Sequence, residues 1–187
     1  NVLYRNMGNG TFLDVTAQAG VRGHVGRVKY VWAGGDLMRS GMTFESLWFD
    51  YDNDGDPDFI ECNDQGVSPL YRNNGDGTFS DVTEAAGLVI LGSCMGIDTG
   101  DYDRDGDLDV YWTNYHENFL WRNNGDGTFV NRSIDSAIAL SLVEDDTDWS
   151  FTPNFSDIDG DGDGDLLLSS DFNESQVFVN NGDGTFT

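Results

Sequence analysis

The sequence is short of positive charge and of long apolar runs. Its 187 residues include 9 Lys+Arg against 34 Asp+Glu, a formal net charge of −25, and Lys29 is the single lysine. Because phosphate binding needs a basic surface, we expect no nucleic-acid partner. No apolar run approaches the roughly 20 residues that cross a bilayer, so we expect no membrane insertion.

Residues that carry catalysis or bind zinc are also scarce. His24 and His116 are the only histidines, and Cys62 and Cys94 the only cysteines, too few for a zinc site or a disulfide framework. The histidines are interpreted as ordinary polar residues. The sequence has no Gly-x-Ser-x-Gly elbow, phosphate loop or dinucleotide fingerprint, so no enzyme is expected. A catalytic carboxylate pair among the many acids remains the open alternative.

Aromatic residues, by contrast, are plentiful. They make up 13% of the chain, enough for a hydrophobic core and unlike acidic disordered segments. The length suits one domain or part of a larger one. The chain begins at Asn1 inside a repeat, so we expect a processed or partial product from which targeting cannot be read directly.

Two motifs alternate along the chain. Three nine-residue acidic loops read DYDNDGDPD at 50–58, DYDRDGDLD at 101–109 and DIDGDGDGD at 157–165. Four turns flanked by aromatic residues read YRNMGNGTF at 4–12, YRNNGDGTF at 71–79, WRNNGDGTF at 121–129 and FVNNGDGTF at 178–186. The loops begin 51 and 56 residues apart, and a period near 50 with few helical signals predicts β-propeller blades.

Each period contains signals for four short strands. The predicted strands are 43–49, 59–62, 69–73 and 78–82, with further second strands at 108–113 and 166–169. Asn, Asp and Gly between the third and fourth strands predict a tight turn with positive φ angles. One-turn helices are predicted at 16–20 and 83–87, capped by Thr and ended by Gly. The phenylalanine after each turn is predicted to anchor its hairpin between blades: Phe12, Phe79, Phe129 and Phe186.

The expected fold class is therefore all-β, a partial propeller of three to four four-stranded blades in one segment, 1–187. Residues 1–20 supply half a blade, 43–83 and 94–133 complete blades, and 149–187 three strands of a blade. Because propellers close with about four to eight blades, we expect a longer propeller or completion through another copy of the chain.

Two segments exceed what simple blades need, 21–42 and 134–148, and are predicted to be insertions between blades. The first holds Arg22, Arg27 and Arg39, interpreted as counter-charges for an acidic surface or, alternatively, as ligand contacts. Cys62 and Cys94 are predicted on the second strand of one blade and the first strand of the next. Buried free thiols are their expected state, with a bridge between the blades as the alternative.

Five aspartates in nine residues repel one another, by roughly 2–3 kcal/mol for each pair about 6 Å apart at an effective dielectric of about 20. A bound calcium ion, which takes six to eight oxygen ligands in a flexible cage, removes this conflict better than magnesium does. Positions 1, 3, 5 and 9 would supply carboxylates and position 7 its main-chain carbonyl, while the glycine at position 6 permits the turn. The alternative is an acidic turn without a specific ion. The predicted ligands are Asp50, Asp52, Asp54, Asp56 and Asp58; Asp101, Asp103, Asp105, Asp107 and Asp109; and Asp157, Asp159, Asp161, Asp163 and Asp165.

The same spacing begins an EF-hand, but the rest of that motif is missing. An EF-hand needs an acidic residue at position 12 and flanking helices. Position 12 is Glu61 in the first loop and Trp112 and Leu168 in the others, and strand-like residues follow each loop. The EF-hand interpretation is therefore rejected.

The D-x-D-x-D-G-D-x-D loops and the run RNNGDGTF-x-DVT-x-AAG at 72–87 resemble FG-GAP/VCBS-type repeats. Such repeats occur in integrin α-subunit propellers and in secreted proteins related to cartilage acidic protein. The resemblance implies a calcium-binding β-propeller with about three ions, one for each acidic loop. The literal Phe-Gly…Gly-Ala-Pro signature is absent, so the resemblance supports the metal sites better than any particular ligand.

Weak calcium sites fill outside cells and empty in the cytosol, so we expect a secreted or cell-surface module for adhesion, recognition or structural assembly. The alternative is a lectin-like propeller in which Trp32, Trp112, Tyr115 or Trp121 stacks on sugar rings; an enzyme is the third possibility. The partner would be a protein, a glycan or further copies of the chain. Four sequons would carry N-glycans or match by chance, at Asn9, Asn131, Asn154 and Asn173.

Overall fold

The computed structural model describes residues 1–22, 42–89, 91–114, 117–138, 150–171 and 174–187. These residues form strands and turns, and no helix is found among them. Thirteen strands follow one another in the described ranges: β1 (Tyr4–Asn6), β2 (Phe12–Asp14), β3 (Met42–Phe49), β4 (Asp58–Val67), β5 (Leu70–Asn73), β6 (Phe79–Asp81), β7 (Leu91–Gly100), β8 (Asp109–Asn114), β9 (Phe119–Asn123), β10 (Phe129–Asn131), β11 (Ser150–Ser156), β12 (Asp165–Ser170) and β13 (Gln176–Phe178). None of the described segments is a helix long and apolar enough to cross a membrane.

Consecutive strands pair antiparallel and form successive blades. Blade 1 is the pair β1–β2, blade 2 is β3–β4–β5–β6, blade 3 is β7–β8–β9–β10, and blade 4 is β11–β12–β13. In blade 4 a bridge between Asn180 and Phe186 closes the final hairpin. The expectation of an all-β, partial β-propeller fold is confirmed.

Blades 2 and 3 are also joined edge to edge. Strand β4 continues past the predicted 59–62 as far as Val67, and its end pairs with the start of β7, with Asp64 opposite Ser93. The two blades therefore share one eight-stranded sheet. Local sequence pattern did not predict this extension, because Asn63, Asp64 and Gly66 are poor strand formers and are held there by their neighbours.

The pairing of β4 with β7 corrects the expected state of the cysteines. Cys62 and Cys94 are fully buried and form a disulfide, with their Cα atoms 5.2 Å apart. This separation lies within the range that a bridge requires. The expectation of free thiols was wrong, because it placed the cysteines on neighbouring blades without the direct strand pairing that brings them together.

Aromatic and aliphatic side chains fill the spaces between blades. The centre of the largest cluster lies between blades 2 and 3 and includes Ile60, Leu70 and Trp112. In this joint the Phe129 ring stacks on Tyr51 at 6.2 Å, and one joint later Phe186 stacks on Tyr102 at 6.0 Å. Each phenylalanine thus packs on position 2 of the acidic loop one repeat earlier.

The same anchoring does not extend to the first hairpin. Phe79 is half-buried against the cluster between blades 1 and 2, but Phe12 is 64% exposed. Contrary to the prediction, Phe12 does not anchor its hairpin in a core among the described residues.

The predicted one-turn helices are hydrogen-bonded turns. At 83–87 the Ala86 N–H donates to the Val82 carbonyl at 2.7 Å. Asp81 caps this turn by accepting from the Thr83 N–H at 3.1 Å, while the Thr83 hydroxyl accepts from the Leu70 N–H at 3.0 Å. The Thr83 hydroxyl therefore bonds to the neighbouring strand instead of capping the turn. The segment does not continue into a helix.

Parts of both predicted insertions lie outside the described residues, namely 23–41 and 139–149. The same holds for His24, Trp32, Tyr115, His116 and Asn173. The predictions made for these residues therefore stay predictions.

The third capping turn contains an alanine where the other two have glycine. Ala137 has a φ of 66°, and the equivalent Gly20 and Gly87 have φ values of 81° and 76°. A side chain in this left-handed region is strained, because its Cβ approaches the backbone.

We expect Ala137→Gly to raise the free energy of unfolding by about 0.5–1 kcal/mol, since relief of this strain exceeds the entropic cost of glycine. Denaturant titration of the two proteins measures the difference. The matched control is Gly87→Ala, which should lower stability by a similar amount or more because its Cβ would lie 3.3 Å from the Phe129 carbonyl oxygen. A less stable Ala137→Gly protein would contradict the assignment of strain.

Candidate metal centres

Each acidic loop connects the first and second strands of a blade: 50–58 in blade 2 (loop 1), 101–109 in blade 3 (loop 2) and 157–165 in blade 4 (loop 3). The carboxylate at position 1 shapes the turn. Asp50 accepts from the Asp54 N–H at 3.1 Å and the Gly55 N–H at 2.9 Å. Asp101 makes the same two contacts in loop 2. The loop backbone therefore wraps around its first aspartate.

The carboxylate at position 9 ties the loop to the rest of its blade. Asp109 is fully buried and accepts from the Tyr102 N–H at 3.1 Å and from the Asn123 N–H at 2.8 Å. Asp58 and Asp165 are equally buried and accept from the equivalent donors. Position 9 thus joins the acidic loop to the final hairpin of its own blade.

Three of the five predicted ligand positions come together in every loop. At positions 1, 3 and 9, one carboxylate oxygen from each residue lies within 4.8 Å of the other two. Such a cluster of hard oxygens could hold a metal ion. The three groups are Asp50, Asp52 and Asp58; Asp101, Asp103 and Asp109; and Asp157, Asp159 and Asp165.

Positions 5 and 7 are placed differently. The position 5 carboxylates lie outside these groups and accept from the N–H of position 7, at 2.9 Å from Asp56 to Asp54, 3.0 Å from Asp107 to Asp105 and 3.1 Å from Asp163 to Asp161. The metal-ligand roles of positions 5 and 7 stay predictions.

The sequence predicts only a main-chain role for position 7, and in two loops its carboxylate contacts the preceding loop. The Asn53 amide of loop 1 donates to Asp107 of loop 2 at 2.6 Å. The Arg104 guanidinium of loop 2 lies 2.8 Å from Asp163 of loop 3. The sequence pattern did not predict these links. Asn53 and Arg104 both occupy position 4 of their loops, where the backbone φ angle is positive, at 58° and 61°.

Buried oxygens without donors test whether the loops fit a cation. Asp52 and Asp103 each have a buried Oδ1 with no hydrogen-bond partner among the described residues. A buried carboxylate oxygen left unpaired costs free energy, and a hard cation bound by these oxygens would remove that cost. The donor set, oxygen only, fits calcium.

Burial also raises the pKa of the position 9 carboxyls in loops 1 and 2. The pKa of Asp58 rises to about 6 and that of Asp109 to about 8, mainly through desolvation, against which the backbone N–H donors act. A cation bound beside these groups would favour their ionised forms.

Arginines from the final hairpins supply positive charge in loops 1 and 2. Arg122 lies 3.5 Å from Asp103, and the charge of Arg72 opposes the burial-driven rise in the pKa of Asp52. Loop 3 has Val179 at the equivalent hairpin position.

The two residues proposed for sugar contact that the structure describes are wholly or partly covered. Trp112 is 1% exposed, and Trp121 packs partly buried against the core between blades 2 and 3. Of the alternatives named for sugar stacking, Trp112 is therefore a core residue. Trp48, which sequence analysis did not single out, is 47% exposed and lies 6.0 Å from the Phe79 ring.

Three of the sequons have an exposed asparagine. In two of them the side-chain carbonyl oxygen accepts from the residue two positions on, at 3.1 Å from the Thr11 N–H to Asn9 and 3.0 Å from the Ser133 N–H to Asn131. Asn154 is exposed on β11. These hydrogen bonds give the Asn9 and Asn131 side chains a structural role in their turns. Glycosylation of the sequons stays a prediction.

Comparison with known proteins places these loops in a family pattern. The family model described as FG-GAP-like repeat matches residues 50–112 and 101–168, which contain all three acidic loops. Among solved structures, the chain is similar to one titled as a lectin from Agrocybe aegerita that recognises non-reducing terminal N-acetylglucosamine, with 23% identity and a TM-score of 0.48. The match covers 100% of this chain and 45% of that one, so the chain spans less than half the length of that protein. No curated protein matches the chain.

We expect Asp103→Asn to reduce the number of bound calcium ions from three to two, because it removes a charged ligand whose Oδ1 has no other partner. Isothermal titration calorimetry measures this number. The matched control is Asp126→Asn, which changes an exposed hairpin carboxylate to the residue that blade 1 has as Asn9 and should leave three ions bound. Equal numbers for the two variants would contradict the placement of the second site.

Proposed function

This chain belongs to the FG-GAP-like repeat family, and on that premise we propose that it is a calcium-stabilised, non-enzymatic β-propeller module that works outside the cell in recognition, adhesion or structural assembly. One observation carries the proposal. In every acidic loop, the carboxylates of positions 1, 3 and 9 converge at the same place in the blade.

Calcium suits these loops better than magnesium does. Calcium accepts six to eight oxygens in variable geometry, while magnesium requires a small octahedron and retains its waters. The carboxylates at positions 1 and 9 are already engaged by backbone donors, as at Asp101 and Asp109. Such a cage is set by the fold and favours an ion that tolerates irregular coordination.

A calcium ion in a loop would also stabilise the joint with the next blade. The Asn123 amide of blade 3 donates to the Tyr51 carbonyl of loop 1 at 2.8 Å, and Asn180 of blade 4 donates to the Tyr102 carbonyl of loop 2 at 2.8 Å. Fixing the loop backbone therefore fixes an acceptor for the next blade. The ion is structural in this role and takes no part in a reaction.

Two features support a location outside the cell. Extracellular calcium modules typically have dissociation constants of about 10⁻⁴–10⁻³ M, so they fill only where calcium is abundant. The disulfide between Cys62 and Cys94 is typical of oxidising compartments.

Recognition of a glycan is the second candidate, and exposed Trp48 favours it. The Trp48 ring lies 4.7 Å from Phe59 and 6.0 Å from Phe79, and almost half of its surface is open. An exposed aromatic ring held by other rings offers a rigid apolar face with a polar N–H. A protein ligand or further copies of the chain remain the partners of the leading proposal.

Chelation tests the structural role of calcium. We expect EDTA to lower the melting temperature by roughly 10–20 °C, since three ions at concentrations well above their dissociation constants contribute about 2 kcal/mol each. Millimolar calcium should restore the melting temperature, measured by differential scanning calorimetry, and equimolar magnesium should restore much less. An unchanged melting temperature in EDTA would refute the proposal.

A glycan array separates the two kinds of recognition. If the chain is a lectin, we expect sugar-selective binding that Trp48→Ala abolishes while the melting temperature in calcium falls by only a few degrees. The control is Phe44→Ala, which removes another exposed aromatic ring, 53% exposed, and should leave sugar binding intact. Absence of binding to every glycan on the array would rule out the lectin alternative and leave adhesion or assembly.

A further inference from the structure

Successive acidic loops are linked through the same two positions. The side chain at position 4 of one loop reaches the carboxylate at position 7 of the next. Asn53 of loop 1 does so with a neutral amide, 2.6 Å from Asp107, and Arg104 of loop 2 does so with a guanidinium, 2.8 Å from Asp163. The link into loop 2 is therefore uncharged, while the link into loop 3 brings a positive charge.

Arg104 enters the acidic loop further than a single ion pair requires. Its Nη2 lies 3.6 Å from a carboxylate oxygen of Asp161 and 3.4 Å from the Asp161 main-chain carbonyl. Asp161 is the position 5 residue of loop 3 and one of the predicted calcium ligands. The guanidinium thus places a positive charge beside the candidate metal centre of loop 3.

The surroundings of loop 3 differ from those of the other two loops. Its residues at positions 1 and 3, Asp157 and Asp159, are exposed, whereas their equivalents in loops 1 and 2 are half-buried. Solvent screens interactions between exposed charges. A cation at the candidate centre of loop 3 would therefore interact less strongly with these carboxylates even without Arg104.

A positive charge beside a cation site lowers the affinity of that site. In loops 1 and 2 the nearby arginine comes from the hairpin of the same blade, as with Arg122 beside position 3. In loop 3 it comes from the preceding loop, and it contacts positions 5 and 7 together. The ion pair of Arg104 with Asp163, whose side chain is 1% exposed, links loops 2 and 3 through charge alone, since neither Asp163 carboxylate oxygen has a hydrogen-bond partner among the described residues.

We propose that Arg104 is an affinity-determining residue that lowers the calcium affinity of loop 3, and that this loop, whose position 1 and 3 carboxylates are exposed, is the weakest and most readily emptied of the three sites. The inference rests on the calcium binding proposed above. Loops 1 and 2 then serve as structural sites, while loop 3 exchanges its ion as the surrounding calcium concentration changes. The resident guanidinium keeps blades 3 and 4 linked when that ion leaves.

An exchange of residues between the two linking positions tests the proposal. Arg104→Asn gives loop 2 the residue that loop 1 has at this position, and Asn53→Arg is the reciprocal change. Calorimetric titration with calcium should show that Arg104→Asn tightens the weakest of three sites by about three- to tenfold, as expected for one partly exposed unit charge acting on a divalent ion. Asn53→Arg should weaken one of the tighter sites by a similar factor.

Two further variants assign the effect. Asp159→Asn should remove the weakest site, and adding Arg104→Asn to it should leave the affinities of the two remaining sites unchanged. Arg5→Asn removes an equal charge from the exposed strand β1 and should change no affinity. Because Asn53→Arg removes no ion pair, it tests the charge effect even if Arg104→Asn fails to fold.

The outcomes separate this inference from the proposed function. If the unmodified chain binds no calcium, the proposed function itself fails. If it binds three ions and Arg104→Asn leaves the weakest affinity unchanged or lowers it, Arg104 orders the loop without weakening the site. That result overturns the inference and leaves calcium binding intact.

Discussion

The buried aspartate at position 9 is the residue on which blades 2, 3 and 4 depend. Asp109 accepts one backbone N–H from its own loop and another from the hairpin that ends its blade. The hairpin residue that donates, Asn123, uses its side-chain amide to reach the Tyr51 carbonyl of the preceding loop. One carboxylate therefore holds a loop, a hairpin and, through the hairpin, the neighbouring blade in a single arrangement.

This arrangement explains why acidic residues gather where repulsion is greatest. Neutral backbone donors fix the positions 1 and 9 carboxylates, so the oxygens converge although they repel one another. The Oδ1 atoms of Asp52 and Asp103 have no hydrogen-bond donor in the described part of the chain, and the nearby Arg72 and Arg122 offset only part of the negative charge. A cation bound at this place would act on atoms that also carry the joints between blades, so the proposed metal binding would be coupled to the stability of the propeller.

The regular part of this structure could be predicted from the sequence, since a repeated motif specifies its own turn. The hairpin at 74–77 and the acidic loops depend on contacts within a few residues, such as the Asp76 carboxylate accepting from the Thr78 N–H. Contacts between blades could not be predicted in this way. The disulfide of Cys62 with Cys94 and the link from Arg104 to Asp163 depend on how the sheets curve toward one another, which local pattern does not encode.

The repeated residues are engaged in packing and hydrogen bonds within the fold, and this limits which residues could contact a ligand. Position 2 of loops 1 and 2 packs on the next blade's phenylalanine, and position 9 is buried in hydrogen bonds. Specific binding therefore needs residues that differ between blades. The residue two positions before each loop is Trp48, Thr99 or Phe155, and of these Trp48 offers the open aromatic face. Residues that differ between the repeats, more than the repeated residues, are therefore the candidates for contact with a specific partner.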